Sequence, residues 1–324
     1  MKDYRRTRRV GICAILFALV LRLWAAKVPE TLFSQVIQPN IAAFLQRSET
    51  GRNVRFSSSS EVFMPDFVES PPPLIPEPTE EPLPSFSGEE NVELYDAALV
   101  APDILSLLTQ PLQWDLIGKE PTVLILHTHA TESYTQVGEH YVETSAWRTL
   151  EEDYNMLSIG KKVGEVLARH GITAIQDREL HDYPSYNGSY VHARKSIKAY
   201  LEEYPTIRLV LDLHRDASGG DGGQMRTRAT VEGRDSAQLM VVLGTNHKGY
   251  EENLAFGVKL HAWLEEKHPG IMRPLQLRTA RYNQDLHPNA LLIEVGAAGN
   301  THPEAMVAAE ALGNAIAALS QGTA

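Results

Sequence analysis

The stretch Thr122–Tyr134, TVLILHTHATESY, decides how the rest of the chain is interpreted, because an apolar run leads directly into two histidines and a carboxylate. The apolar residues Val123 to Leu126 predict a buried strand that presents the next residues at its carboxyl end. Those residues are His127, His129 and Glu132. Zinc is bound by imidazole nitrogen and carboxylate oxygen, and a catalytic zinc site uses three protein ligands. The stretch therefore predicts part of a zinc site, with loop-capping histidines as the alternative.

Apolar strands and amphipathic helices alternate from about residue 115 to the end. Strands are predicted at Val123–Leu126, Ile172–Ile175, Leu209–Leu213, Leu239–Leu243 and Leu291–Val295. Helices are predicted at Asn155–His170, Val191–Tyr204, Glu252–Lys267 and Pro303–Leu319. Apolar strands separated by helices imply a mostly parallel sheet with helices on both faces. We therefore expect an α/β domain over residues 115–324, with functional groups at the carboxyl ends of its strands.

The amino terminus predicts a membrane anchor. Residues 1–9 are basic, and the apolar residues 10–26 that follow would span about 25 Å as a helix, with Arg22 able to reach the interface. Positive charge before the apolar run places that end in the cytoplasm and the rest of the chain outside. We expect a single-pass protein of the cell membrane with an extracytoplasmic domain. A signal peptide cleaved after Trp24–Ala26 is the alternative.

Residues 27–114 are predicted to form an extracytoplasmic stalk. Within them, Pro71–Pro84 is half proline and contains three glutamates, which favours extended polyproline II.

Charge and cysteine content exclude several functions. The formal net charge of −11 argues against nucleic-acid binding, which needs clustered Lys and Arg. The single cysteine, Cys13, lies within the apolar run, so the exported part can contain neither a disulfide nor a thiolate nucleophile or ligand.

Two further strands supply the remaining candidates for the site. The strand Leu209–Leu213 is followed by His214, which we predict as the third zinc ligand. Arg215 comes next and could stabilise an oxyanion or anchor a substrate carboxylate, with pairing to Asp212 or Asp216 as the structural alternative. Glu294 lies inside an apolar run, where burial would raise its pKa toward that of a general base. A buried salt bridge to Arg215 or Arg281 is the structural alternative for Glu294.

Several polar residues have weaker assignments. His127 could replace His129 as zinc ligand or support it from one step away, since alternation along an extended chain would point the two rings similarly. Asn246, Asn283 and Asp285 follow or precede predicted strands and are candidates for substrate binding. Asp212 is a candidate for fixing the tautomer of a zinc-binding histidine.

Four stretches together resemble the stage II sporulation protein P family: VLILHTHATESY, YPTIRLVLDLHRDA, VVLGTNHKGYEENLAF and RYNQDLHPNALLIEVGAAGN. They frame residues 122 to 300. The resemblance implies a membrane-anchored, zinc-dependent N-acetylmuramoyl-L-alanine amidase of the amidase/phosphorylase-like fold, with an additional endopeptidase activity on peptide cross-links. It also implies a role in engulfment during endospore formation, between the mother-cell and forespore membranes, with stage II sporulation proteins D and M as partners.

The family's histidine motifs fall on His127 and His129 and on His214, and its catalytic glutamate falls on Glu294. The second zinc ligand stays open. Related amidases use a glutamate further downstream, which points to Glu143, Glu151 or Glu152, whereas the spacing of Glu132 resembles that in zinc carboxypeptidases. A carboxypeptidase or endopeptidase acting on wall peptides, or a non-catalytic wall-binding scaffold, are the alternative functions.

Overall fold

The centre of the structure is an eight-stranded sheet. The computed structural model describes residues 60–65, 92–112, 114–138, 140–220 and 223–321. The strands are β1 Ser60–Phe63, β2 Leu94–Asp96, β3 Gly118–Leu126, β4 Ile172–Asp177, β5 Leu209–Asp216, β6 Leu239–Gly244, β7 Leu275–Arg278 and β8 Ala290–Ala297. Their order across the sheet is β1-β4-β3-β5-β8-β6-β7-β2.

The sheet is mostly parallel, as the sequence predicts. Antiparallel pairing occurs between β1 and β4 and between β8 and β6, and the other five neighbouring pairs are parallel. All five predicted strands are present. The edge strands β1 and β2 and the short strand β7 were not predicted, because each has only three or four residues and no long apolar run.

Five α-helices lie within the described residues. They are α1 Ile104–Thr109, α2 Met156–Arg169, α3 Ser189–Glu203, α4 Tyr250–Lys267 and α5 His302–Gln321. The last four lie within a few residues of the predicted helices. Short 3-10 helices occupy Glu152–Tyr154 and Gln284–Leu286. Three two-stranded hairpins pair Glu143–Ser145 with Arg148–Thr149, Gly219–Gly220 with Gly223–Gln224, and Ala229–Val231 with Arg234–Ser236.

Side-chain alternation gives the sheet two different faces. The lower face, which includes Val123, Leu211 and Ile293, packs with α2, α4 and α5 in the main hydrophobic core. The upper face carries the alternate residues, including His214 and Glu294, which lie opposite each other on β5 and β8. Helix α3 lies on this upper face, because its Tyr190 ring stacks on His214. Helices therefore lie on both faces, as expected, but among the described residues α3 covers only the histidine side of the upper face.

The folded unit begins earlier than residue 115. It extends over Ser58–Ala324, and β1, β2 and α1 all come from the predicted stalk. Phe63 of β1 and Leu107 of α1 are buried in the main core, so apolar burial holds these segments to the domain. The predicted anchor at residues 10–26 and the proline-rich segment at 71–84 lie outside the described residues. None of the described helices has the length and apolar character needed to cross a bilayer.

Gly160 lets α2 approach the sheet closely. A Cβ at this position would lie 2.4 Å from Gln176 Nε2 and 2.5 Å from His127 Nε2. These distances are well inside van der Waals contact, so a side chain here would displace the buried Gln176 and His127 side chains or α2 itself.

We expect Gly160→Ala to lower the free energy of unfolding by about 1–2 kcal/mol, because the steric conflict exceeds alanine's advantage as a helix former. Gly118→Ala is the matched control, since a Cβ there has no neighbour within 4 Å. Urea denaturation measures both. Equal unfolding midpoints for the two variants would contradict the packing argument.

Candidate active site

Four of the predicted site residues meet on the upper face at the carboxyl ends of β3, β5 and β8. They are His129, Glu132, His214 and Glu294. His214 lies opposite Glu294 in the pairing of β5 with β8. The imidazole rings of His129 and His214 have centroids 5.2 Å apart, and His214 Nδ1 is 3.9 Å from Glu132 Oε2. All four side chains are buried or nearly so. Two imidazoles and two carboxylates therefore share one small volume.

His214 is oriented by a carboxylate. Its Nε2 lies 2.9 Å from Asp212 Oδ1, and Asp212 is itself fixed by the backbone N–H and hydroxyl of Thr128. Burial alone would lower the pKa of His214, but the surrounding carboxylates of Asp212, Glu294 and Glu132 outweigh burial and raise that pKa to about 9. Asp212 is therefore the carboxylate that contacts His214, and its role in fixing the tautomer of a zinc-binding histidine stays a prediction.

His129 lies beside His214 in an aromatic environment. Tyr186 stacks on its ring at a centroid distance of 4.5 Å, and Tyr190 of α3 makes an edge contact at 5.5 Å. Its buried Nδ1 has no hydrogen-bond partner. Burial, together with the neighbouring charge of His214, lowers the pKa of His129 to about 3. The ring is therefore neutral at physiological pH, which is the form that binds metals.

His127 does not share this environment. Its Nδ1 contacts the Leu213 carbonyl at 3.1 Å, and its Nε2 contacts Gln176 Nε2 at 2.9 Å. The chain leaves the extended conformation after Leu126, so the alternation that would point His127 and His129 the same way does not apply. His127 belongs to the lower face beneath α2, with both ring nitrogens engaged. The geometry favours His129 as the ligand, and a metal role for either remains a prediction.

Glu132 is surrounded by arginines. Its carboxylate lies 3.2 Å from Arg148 NH2 and 3.5 Å from Arg215 NH1, and it accepts a hydrogen bond of 3.3 Å from the Arg215 backbone N–H. These contacts compensate the cost of burying the charge. They also hold Glu132 beside His214. Of the candidate glutamates, Glu132 is therefore the one that the fold brings to the site.

The downstream glutamates lie elsewhere. Glu143 is exposed on a hairpin, Glu151 accepts a hydrogen bond from the Val142 backbone N–H, and exposed Glu152 pairs with Arg178. Nothing in the geometry brings these three side chains to the paired histidines.

Arg215 has a structural role that the sequence did not indicate. Its guanidinium donates from Nε to the Ser133 carbonyl at 3.1 Å and from NH2 to the Trp147 carbonyl at 3.1 Å. The remaining NH1 group is the one near Glu132. Among the described residues, the alternative pairings with Asp212 or Asp216 do not form. The contacts of Arg215 hold Glu132 in place, and an oxyanion role for Arg215 stays a prediction.

Arg148 contacts the candidate site but was not among the residues predicted from the sequence. Besides Glu132, it contacts Asp182 at 2.6 Å, and its guanidinium lies 5.0 Å from the centre of the Tyr186 ring. It comes from a two-residue strand in an irregular segment. No spacing to the histidine motifs marks it, so only the tertiary structure identifies it.

Glu294 is the least compensated group in the site. Its Oε2 is buried and has no hydrogen-bond partner among the described residues, and neither Arg215 nor Arg281 forms the salt bridge considered as its structural alternative. Burial, reinforced by the charges of Glu132 and Asp216, raises the pKa of Glu294 to about 8. A carboxyl group with that pKa can exchange a proton near neutral pH, as a general base must.

Backbone geometry after Glu294 depends on Gly296. The pairing of β5 with β8 shifts register between Glu294 and Ala297, and Gly296 has φ of +74°. A Cβ at Gly296 would lie 2.8 Å from the Cβ of Ala237. Glycine is needed here because both the conformation and the close approach exclude a side chain.

The predicted substrate-binding residues have different surroundings. Asn283 is buried and donates to the Tyr190 carbonyl at 2.8 Å, and Asp285 forms two hydrogen bonds of 2.7 Å with Arg194 of α3. Both tie the loop before β8 to α3, and their role in substrate binding stays a prediction. Asn246 is exposed after β6, with no contact to the histidines.

The donor set can be compared with what zinc requires. Within the described ranges, no three His, Cys, Asp or Glu side chains stand in the arrangement of a formed metal site. The types nevertheless fit, because His129 has an unpartnered buried Nδ1 and His214 presents Nδ1 toward Glu132. Contact between Asp212 and the other nitrogen of His214 is the pairing that typically orients a zinc-binding histidine. A bound cation would compensate the charge of Glu132, which Arg148 and Arg215 compensate in this structure.

We expect Asp212→Asn to lower the pKa of His214 in metal-free protein by more than about one unit, because the raising charge is removed. Asp177→Asn is the matched control: Asp177 lies 2.9 Å from His181, so this change should affect His181 and leave His214 unchanged. NMR titration of the imidazole resonances measures both. A His214 pKa that is the same in Asp212→Asn and wild type would remove Asp212 from this role.

Solved structures similar to this chain include several amidases. The N-acetylmuramoyl-L-alanine amidase AmiC2 of Nostoc punctiforme is 14% identical, with a TM-score of 0.35, and the match covers 63% of this chain and 98% of that one. The CwlD amidase of Clostridioides difficile, solved in complex with the GerS lipoprotein, is 14% identical with a TM-score of 0.37, covering 62% and 98%. Both scores are below 0.5, so the family assignment rests on sequence.

Two sequence matches give that assignment. Stage II sporulation protein P of Bacillus subtilis (strain 168) is 30% identical over 254 residues, which are 72% of this chain and 60% of the relative's length. The family model for stage II sporulation protein P matches residues 77–317, which include His129, Glu132, His214 and Glu294. The chain belongs to the stage II sporulation protein P family.

Proposed function

We propose that this chain is a membrane-anchored peptidoglycan hydrolase, a zinc-dependent N-acetylmuramoyl-L-alanine amidase that acts in engulfment during endospore formation. The observation that carries the proposal is the buried, unpartnered carboxyl of Glu294 directly opposite His214, with His129 and Glu132 beside it. Membership of the family supports the cell wall as the place of action. The matched relative is longer than this match, so its full activity is carried over only as part of the proposal.

The residues have distinct roles in this proposal. His129, His214 and Glu132 would hold the zinc. Zinc, when bound, supplies a Lewis acid that polarises a carbonyl and activates water. Glu294 accepts the water's proton at its unpartnered Oε2 and returns it to the leaving amine. The roughly neutral pKa of Glu294 suits both transfers.

Neighbouring residues prepare this chemistry. Asp212 fixes the ring of His214, and Arg215 and Arg148 keep Glu132 in place. Tyr186 and Tyr190 cover two sides of the His129 ring and limit access of water from those sides. Exclusion of water strengthens electrostatic interactions between the remaining groups.

A zinc peptidase that acts on wall peptides is the second candidate function. The fold brings Glu132 to the site, and its two-residue separation from His129 is the spacing that resembles zinc carboxypeptidases. Mass analysis of products distinguishes the two functions, because only an amidase leaves glycan strands without stem peptides. The membrane location and the partnership with stage II sporulation proteins D and M are part of the same proposal and rest on the family resemblance.

We expect Glu294→Gln to abolish release of stem peptides from purified peptidoglycan by the full-length chain while zinc stays bound. Glutamine keeps the shape of glutamate but cannot accept the proton, so the rate of stem-peptide release should fall by about 10² to 10⁴-fold. Glu310→Gln is the control, since Glu310 lies on α5 and pairs with Arg234 and Lys162. Activity of the wild type that survives EDTA would overturn the zinc mechanism, and a wild-type rate for Glu294→Gln would remove Glu294 from it.

Zinc affinity should rise with pH. The carboxylates raise the pKa of His214 to about 9, so zinc must displace a proton from this ring at neutral pH. We expect the association constant to increase about tenfold per pH unit between roughly pH 7 and 9 and to level off above that range. Isothermal titration calorimetry in two buffers of different ionisation enthalpy measures the affinity and the released proton. A pH-independent affinity would contradict the assignment of His214 as ligand.

A further inference from the structure

A groove extends from Glu294 across the part of the upper face that no described helix covers. Helix α3 lies over the histidine side of this face, and the groove begins beyond it. Its volume is about 400 Å³. Its lining includes Met240, Val242, Arg273, Arg278, Tyr282 and Glu294.

The floor of the groove is apolar. Met240, Val242 and Leu292 form a small buried cluster separate from the main core, and Tyr282 packs against it. Tyr282 also lies 6.0 Å, between ring centroids, from Tyr190 at the histidine site. The groove is thus continuous with the candidate active site, and its floor suits the aliphatic parts of an extended peptide.

The two arginines of the groove differ in charge compensation. Arg273 lies 2.7 Å from the carboxylate of Asp216, which neutralises it. Arg278 forms no ion pair with any described carboxylate. It donates to Gln276 Oε1 at 2.8 Å, and its guanidinium lies 5.6 Å from the centre of the Tyr95 ring. These neutral contacts orient the guanidinium while leaving its charge available, and the group is exposed.

The strand register gives the separation between Arg278 and the reacting group. Glu294 lies opposite Met240, and Arg278 lies opposite Gly244, four residues further along the same strand. Two strand spacings of about 4.8 Å and four residues of about 3.3 Å place the two Cα atoms about 16 Å apart. An extended peptide of about five residues covers that distance.

We propose that this groove binds the peptide part of the substrate in an extended conformation, with Arg278 binding one of its carboxylates. The inference rests on the proposed function, because it takes Glu294 as the position of the cleaved bond. A guanidinium recognises a carboxylate through two parallel hydrogen bonds, which a neutral amide cannot reproduce. Arg278 is therefore a specificity-determining residue for acidic peptides.

The test compares soluble glycopeptide fragments of peptidoglycan with the same fragments after their free carboxylates have been converted to amides. For the full-length wild type, we expect amidation to raise KM and the dissociation constant about tenfold, with little change in kcat. Arg278→Gln should show the raised values for the acidic fragments and no further effect of amidation. Arg278→Lys, which keeps the charge but loses the paired hydrogen bonds, should be intermediate.

Arg234→Gln is the control, because Arg234 is on the Ala229–Ser236 hairpin, outside the groove, and pairs with Glu310. Wild type that binds acidic and amidated fragments equally, or Arg278→Gln that behaves like Arg234→Gln, would overturn the inference. If the wild type cleaves neither fragment, the amidase proposal fails, and the dissociation constants measured by calorimetry still decide whether Arg278 selects carboxylates.

Discussion

The parallel pairing of β5 with β8 is the constraint on which the site depends. It sets His214 opposite Glu294 and buries a carboxyl group that has no hydrogen-bond partner at Oε2. Burial of such a group costs free energy, and the cost appears as a raised pKa. The bulge at Gly296 lets β8 continue past Glu294 without shifting that residue out of register. Burial of Glu294 thus lowers the stability of the fold but lets this carboxyl exchange protons near neutral pH.

The charges around Glu294 form an ordered network. Asp212 holds His214 on one side, while Arg148 and Arg215 hold Glu132 on the other. Arg215 is also anchored to two backbone carbonyls, so the loop after β3 and the end of β5 are fixed relative to each other. Among the described residues, each charged member of this network except Glu294 has an oppositely charged partner. The carboxyl of Glu294 is therefore the group whose charge is left uncompensated.

Unequal covering of the sheet shapes access to this centre. The lower face is buried beneath α2, α4 and α5, whereas the upper face has α3 over its histidine half and an open groove over the half formed by β6 and β7. The antiparallel pairing of β6 with β8 brings Met240 beside Glu294 and directs the groove away from the histidines. A peptide can therefore approach the reacting carboxyl from the uncovered side.

The sequence by itself determined the α/β class, five strands and four helices, and it marked His214 and Glu294 as candidate site residues, because apolar periodicity and polar residues at strand ends are local signals. It left open the choice between His127 and His129 and the choice between Glu132 and a downstream glutamate. Only the tertiary structure decided that His127 lies under α2, that Arg215 holds Glu132, and that Arg148 belongs to the site. It also decided that β1, β2 and α1 join the domain. These outcomes depend on contacts between residues far apart in the chain, which spacing does not encode. The direction of a side chain after a strand ends is likewise set by the packing around it, and not by strand alternation.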